Sequence, residues 1–147
     1  MSQEPESADE VVTDLLEKSG QAFLTDDFDA FHACIQLPYH LETFEGMRIV
    51  SSDAELRDLF LAVRAHHRKT NVTDMARHVV EAVYKDDDTV VATFETRLLN
   101  GNTLTQAPYP VFVIVRRDDT GWKAQQMTFA IEDSPDHNAL LMGAGTK

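Results

Sequence analysis

The sequence predicts an α+β domain in which N-terminal helices lie across one face of a curved sheet and close a pocket against it. Three observations lead there. Apolar residues recur at three- and four-residue spacing in the first half of the chain; the stretch from Val72 to Ile131 breaks into four extended runs separated by turn signals; and one of those runs alternates apolar and polar residues. Helices and a meander of strands each have an apolar face to bury, and packing one layer on the other buries both.

The elements follow in order. Residues 1–8, with Glu4, Pro5, Glu6 and Ser7, offer almost nothing to bury and are expected to form a disordered lead-in. From about Asp9, the positions Val11, Val12, Leu15, Leu16, Ser19, Ala22 and Phe23 make one stripe of a first helix, weakened locally by Gly20. Thr25, Asp26 and Asp27 can cap a second, short helix that carries Phe28, Phe31 and Ile35 and stops at Pro38. Tyr39 to Phe44 and Met47 to Val50 flank Glu45-Gly46 as a small hairpin. Ser52-Asp53-Ala54-Glu55 is a capping-box pattern opening a third helix, with Leu56, Leu59, Phe60, Val63 and His67 on one face and an end near Thr70.

The strand half starts with Val72 to Lys85, turns at Asp86-Asp87-Asp88, and continues with Thr89 to Leu99. In the second strand Val90, Ala92, Phe94 and Leu98 alternate with Thr93, Glu95 and Arg97, as expected for one buried face. Val111 to Val115 is apolar throughout, which predicts burial of both sheet faces. Trp122 to Ile131 is the last strand. The chain thus divides into the lead-in, one domain over 9–132, and a loose tail over 133–147 containing Pro135, Gly143 and Gly145.

Composition narrows the function. With 147 residues, 43% of them hydrophobic, the chain suits one domain with one core. A net charge of −12 repels phosphate backbones, and no Lys/Arg cluster interleaved with aromatics offsets it, so nucleic acid is not an expected partner. No apolar run spans a bilayer and the first ten residues are acidic, so neither a membrane partner nor a secretory signal is expected. A single cysteine, Cys34, excludes an internal disulfide, and a cytoplasmic location is expected.

The order of helices, hairpin, capped helix and long strands resembles the nuclear-transport-factor-two-like superfamily of α+β cones, which includes ketosteroid isomerase and the SnoaL-like polyketide cyclases. The matching pieces are Asp26-Asp27-Phe28-Asp29-Ala30-Phe31 at the inter-helix corner, Ser52 to Phe60 after the hairpin, and Asp119-Thr120-Gly121-Trp122-Lys123 at the final turn, within residues 10–131. The resemblance implies a mixed, mainly antiparallel sheet wrapped around the N-terminal helices as a cone with an internal pocket. It also implies a small, mainly apolar or aromatic ligand, no cofactor, and a homodimer through the convex sheet face. The isomerase branch needs an aspartate base and an oxyanion hole made by a tyrosine and a protonated aspartic acid. Aligned on Phe28-Asp29 and Gly46, the tyrosine falls at Ser19 and the base at Thr43, and the second aspartate falls near Pro110. None of these side chains can take the role, so the isomerase mechanism is rejected.

Candidate site residues remain. His78 shares strand parity with Ala76, Val80, Ala82 and Tyr84, which would place an imidazole on the apolar side as an acid or base; a core histidine bonded to a backbone carbonyl is the alternative. Gln126 and Thr128 share one face of the last strand, and Met127, Phe129 and Ile131 the other, so either set could line the pocket. By analogy Tyr39 and Tyr109 lie near the pocket mouth, and Thr43 sits at the base position; for the tyrosines, packing with a wet hydroxyl is the alternative. The histidines show no i, i+4 pair, so no local metal site is expected, and Cys34 is expected to pack. Glu95 and Arg97 fit a surface ion pair better than a ligand site. Two functions follow. One is a non-catalytic, dimeric or ligand-binding module; the other is a cofactor-independent cyclase or dehydratase with His78 moving a proton.

Overall fold

The computed structural model describes residues 6–143. Of the expected lead-in, residues 1–5 lie outside the described residues, and Ser7 already caps the first helix. Its hydroxyl accepts from the Glu10 amide while the Glu10 carboxylate accepts from the Ser7 amide. Helix α1 (Ala8–Thr25) buries the stripe that the sequence predicts, from Val11 to Phe23. It ends at Asp26, which takes the left-handed conformation at φ 58°. Helix α2 (Phe28–His32) is capped by Asp27.

The predicted extension of α2 to Pro38 is corrected here. The helix stops at His32, and β1 (Ile35–Thr43) begins before the proline. Five residues make too short a helix to be favourable alone, whereas the extended chain gains a ladder with β7 starting at Ile35 and Ala124. β1 turns through Phe44-Glu45 into β2 (Gly46–Val50). Ser52 then caps α3 (Asp53–Lys69), whose last turn is basic, as its carbonyl end favours.

β3 (Asp74–Asp86), β4 (Thr89–Asn100), the two-residue β5 (Thr103–Leu104), β6 (Tyr109–Asp118) and β7 (Gly121–Phe129) complete a seven-stranded sheet. Its order is β2-β1-β7-β6-β4-β3, with β5 pairing on β4. All neighbours are antiparallel except β1 and β7, which are parallel. The sheet is therefore mixed and mainly antiparallel. The helices cover its inner face, and Leu56, Phe60, Phe94, Leu98, Val111 and Val113 are among the fully buried side chains between the layers.

Two further expectations change. In β6 only alternate residues face the core; Phe112 is 39% exposed, so Val111 to Val115 is not buried on both faces in the single chain. And the stretch expected as a loose tail contains α4 (Pro135–Leu141), capped by Ser134 and burying His137, Asn138, Leu140 and Leu141. Asn138 Nδ2 donates to the Ile131 carbonyl at 2.9 Å, which ties this helix to the end of the last strand.

Candidate functional site

Between the helices and the inner sheet face lies a cavity of about 70 Å³. One water needs ~10–15 Å³ by this measure, so the space takes a small organic body rather than a single solvent molecule. Its walls are mostly apolar. Leu15 and Phe23 of α1, Phe31 of α2, Leu59 and Val63 of α3, and Leu141 of α4 face Ile35, Leu41, Met75, Phe94, Met127 and Phe129 of the sheet. Phe23, Phe31 and Phe60 pack at 4.7–5.3 Å between centroids, Phe23 and Phe60 stacked and the other pairs tilted, at the junction of α1, α2 and α3.

Into this apolar wall project a few polar groups: Arg77, Tyr39, Tyr109, Ser19, Thr96, His67, His137 and Cys34. Arg77 is brought inside by strand pairing. It stands opposite Thr96, and its inward neighbours Met75 and Val79 stand opposite Leu98 and Phe94. Its Nη2 donates to the Leu16 carbonyl at 2.6 Å and to the Ser19 hydroxyl at 2.8 Å. The guanidinium also lies 5.8 Å from the centroid of the Phe94 ring. No carboxylate pairs with it among the described residues. Burial draws its pKa down, with Tyr109, Tyr39 and Cys34 acting the other way, but a guanidinium keeps its proton in proteins.

The other groups are neutral at physiological pH. Burial pushes both tyrosines well above the usual phenol value, against the pull of Arg77, and Tyr109 also hydrogen-bonds the Thr96 side chain. Burial likewise raises the Cys34 thiol. His67 is lowered to about 4 by burial and then by His66, Arg64 and Arg77. His137 is lowered to about 3 by burial and then by His66 and His67. The cavity is thus an apolar chamber with one fixed positive charge and several neutral hydrogen-bonding groups.

The sequence-predicted residues divide sharply. Tyr39 and Tyr109 line the cavity. Thr43 is buried but outside it; its Oγ1 accepts from the Glu45 amide at 3.0 Å and orders the β1–β2 turn. His78 is corrected to the exposed side, opposite Glu95 on the outer sheet face. The cause is a β-bulge between Val79 and Glu81, which changes strand parity. Ala82 and Tyr84 do pair with the inward Ala92 and Val90, but before the bulge the inward set is Met75, Arg77 and Val79. Gln126 and Thr128 are also outside. Met127 and Phe129 take the cavity side, while Thr128 Oγ1 lies 3.5 Å from Glu42 Oε1 on the outer face. Ser19 lines the cavity as a partner of Arg77. Glu95 and Arg97 form an outer-face ion pair at 2.7 Å.

Sequence reasoning missed Arg77, His67 and His137. For Arg77 a signal existed in α1: a Cβ at Gly20 would stand 3.1 Å from Arg77 Nη2, so the glycine marks the guanidinium's berth. Among the described residues, no group of three or more His, Cys, Asp or Glu side chains is placed to hold a metal ion. No described helix is long and apolar enough to cross a membrane.

No protein-family model matches the sequence, and no curated protein does. Solved structures match in shape. A protein of unknown function with a cystatin-like fold from Nostoc punctiforme PCC 73102 superposes with TM-score 0.64 at 16% identity, covering 84% of this chain and 90% of that one. An NTF-2 like protein of unknown function from Shewanella oneidensis MR-1 gives 0.65 at 11% identity over 82% and 97%. A ketosteroid isomerase-like protein from Erwinia carotovora atroseptica SCRI1043 gives 0.61 at 20% identity over 86% and 97%. The chain therefore has the nuclear-transport-factor-two-like, cystatin-like fold that its order of elements implies.

Proposed function

We propose that the chain binds a small, mainly apolar organic molecule in the cavity between its helices and sheet, as a dimeric module without a cofactor. The observation that carries this is the cavity itself: apolar walls into which Arg77, Tyr39, Tyr109 and His67 converge. Binding sites of this kind combine an apolar body with a few fixed polar groups that orient the ligand. Two chains would pair through the outer sheet face, where Phe112 and Val83 are exposed.

Ala124, 1% exposed, lines the cavity from β7. Ala124→Leu should fill part of the space and leave the sheet register intact. Native mass spectrometry of freshly purified protein, followed by calorimetric titration with small aromatic alcohols and ketones, should show binding to the wild type and loss of at least tenfold in affinity in the variant. Equal binding by both proteins would place the ligand elsewhere and sink the proposal.

A cofactor-independent cyclase or dehydratase is the second reading. It cannot use His78, which faces outward; of the two histidines that share the cavity with both tyrosines, His67 and His137, His67 is the more basic. Its pKa of about 4 makes it a weak base at neutral pH, which places binding ahead of catalysis.

A further inference from the structure

We propose that the ligand of this cavity is an apolar monocarboxylate, about one ring in size, whose carboxylate pairs with Arg77. This inference rests on the cavity being a binding site and names the charge of what binds there.

Three observations carry it. First, Arg77 is a half-buried cation that faces the apolar cavity on one side and the open groove beside Gly20 on the other, without a carboxylate partner among the described residues, and a charge turned toward apolar surface is costly unless it is paired. An anionic ligand would supply the missing counter-charge. Second, the hydrogen bonds of the guanidinium run from Nη2 alone, to the Leu16 carbonyl and the Ser19 hydroxyl. These two anchors fix the side chain against α1 and leave Nε and Nη1 without a hydrogen-bond partner among the described residues. A planar carboxylate matches guanidinium donors held in a fixed fork.

Third, neutral donors share the cavity with the cation. Tyr39 and Tyr109 keep their phenol protons, since burial raises both, and each lies close enough to Arg77 to feel its charge. His137, only 3% exposed, also lines the cavity, and its Nδ1 has no hydrogen-bond partner among the described residues. A carboxylate accepts from several donors at once, whereas an alcohol or ketone would leave the charge unpaired.

The number of charges follows from the same balance. One guanidinium neutralises one carboxylate, and the chain's net charge of −12 repels anything more anionic. The volume of about 70 Å³ limits the body to roughly a ring with a short arm.

The test compares acids with neutral molecules of the same shape. Wild-type protein is titrated calorimetrically at pH 7 with benzoate and benzyl alcohol, and with phenylacetate and 2-phenylethanol. Each acid should bind at least tenfold more tightly than its alcohol. Arg77→Gln should erase that preference, and Arg77→Lys should restore part of it. Acids and alcohols binding equally to the wild type would overturn the carboxylate and leave the cavity a binding site. If neither acids nor alcohols bind, the binding site falls too, and the carboxylate with it. The wild-type comparison decides the matter even if Arg77→Gln does not fold.

Discussion

Gly20 and Arg77 are coupled through a single close approach. Replacing a helical glycine with alanine normally stabilises a protein by about 1 kcal/mol. Here the added Cβ would stand 3.1 Å from Arg77 Nη2, the same nitrogen held by Leu16 and Ser19. In the wild type the guanidinium must shift and strain those bonds, so Gly20→Ala should bring little or no gain in urea unfolding. In an Arg77→Gln background it should recover about 1 kcal/mol, because the shorter side chain leaves room. Additive effects across this double-mutant cycle would mean that the guanidinium does not rest on α1. The same pair shows what a sequence can disclose about a site. Tyr39 and Tyr109 were legible because the order of elements put them near the pocket, whereas Arg77 was hidden. Alternation assumes a period of two along the whole strand, and the bulge after Val79 breaks it, so parity with Ala82 and Tyr84 does not carry His78 inward, and Arg77 faces in between Met75 and Val79 instead.

At the scale of elements, the longest patterns were the most readable. α1 and α3 declare themselves by caps and apolar stripes, and β4 by its alternation, since each has enough residues to repeat a period. α4 has only seven residues, and its proline reads as a loop signal although it occupies the first turn, where a missing amide costs nothing. That helix carries a pH-dependent weakness. His137 stacks on His66 of α3 at 4.7 Å and meets Tyr109 edge-on at 5.7 Å. His66 is itself lowered by burial and Lys69, with Asp136 opposing, while Arg64 and Arg77 add to the burial of His67. An unfolded imidazole titrates near 6.5, but in the fold His67 and His137 titrate at about 4 and about 3. Above pH 6.5 neither group affects stability. Below it the unfolded chain takes up protons that the folded chain refuses, so stability falls as pH drops toward 3. At pH 5 each histidine should remove on the order of 2 kcal/mol. His137→Phe keeps an aromatic ring under α4 and should flatten the fall in melting temperature between pH 6.5 and 4. Superimposable pH profiles for the two proteins would exclude His137 as a cause.

For the whole molecule, the decisive surface is the outer face of the sheet. Register aligns Val83, Val91 and Ile114 as one apolar row across β3, β4 and β6, which continues through Gln126, His40 and Ile49 on β7, β1 and β2. Phe112 stands in the adjoining row between Thr93 and Thr128 and is 39% exposed. The unbroken apolar stretch from Val111 to Val115 has no account within one chain, because Phe112 and Ile114 face away from the helices. A second copy packed on this face would give it one. Dimerisation must then overcome repulsion between two chains that each carry −12, so association should be tighter in 0.5 M than in 0.05 M salt, where charges are less screened. A dimer held by ion pairs would respond in the opposite sense. Phe112→Glu adds charge and removes apolar area at the centre of the face, without touching the cavity behind it. Sedimentation should find wild-type dimers that strengthen with salt and Phe112→Glu monomers that still bind the wild type's ligand. A variant that remains dimeric would assign the interface to another surface. A monomeric variant that has lost its ligand would mean that pairing also shapes the cavity, since β6 presents Phe112 outward and Tyr109 inward from the same strand.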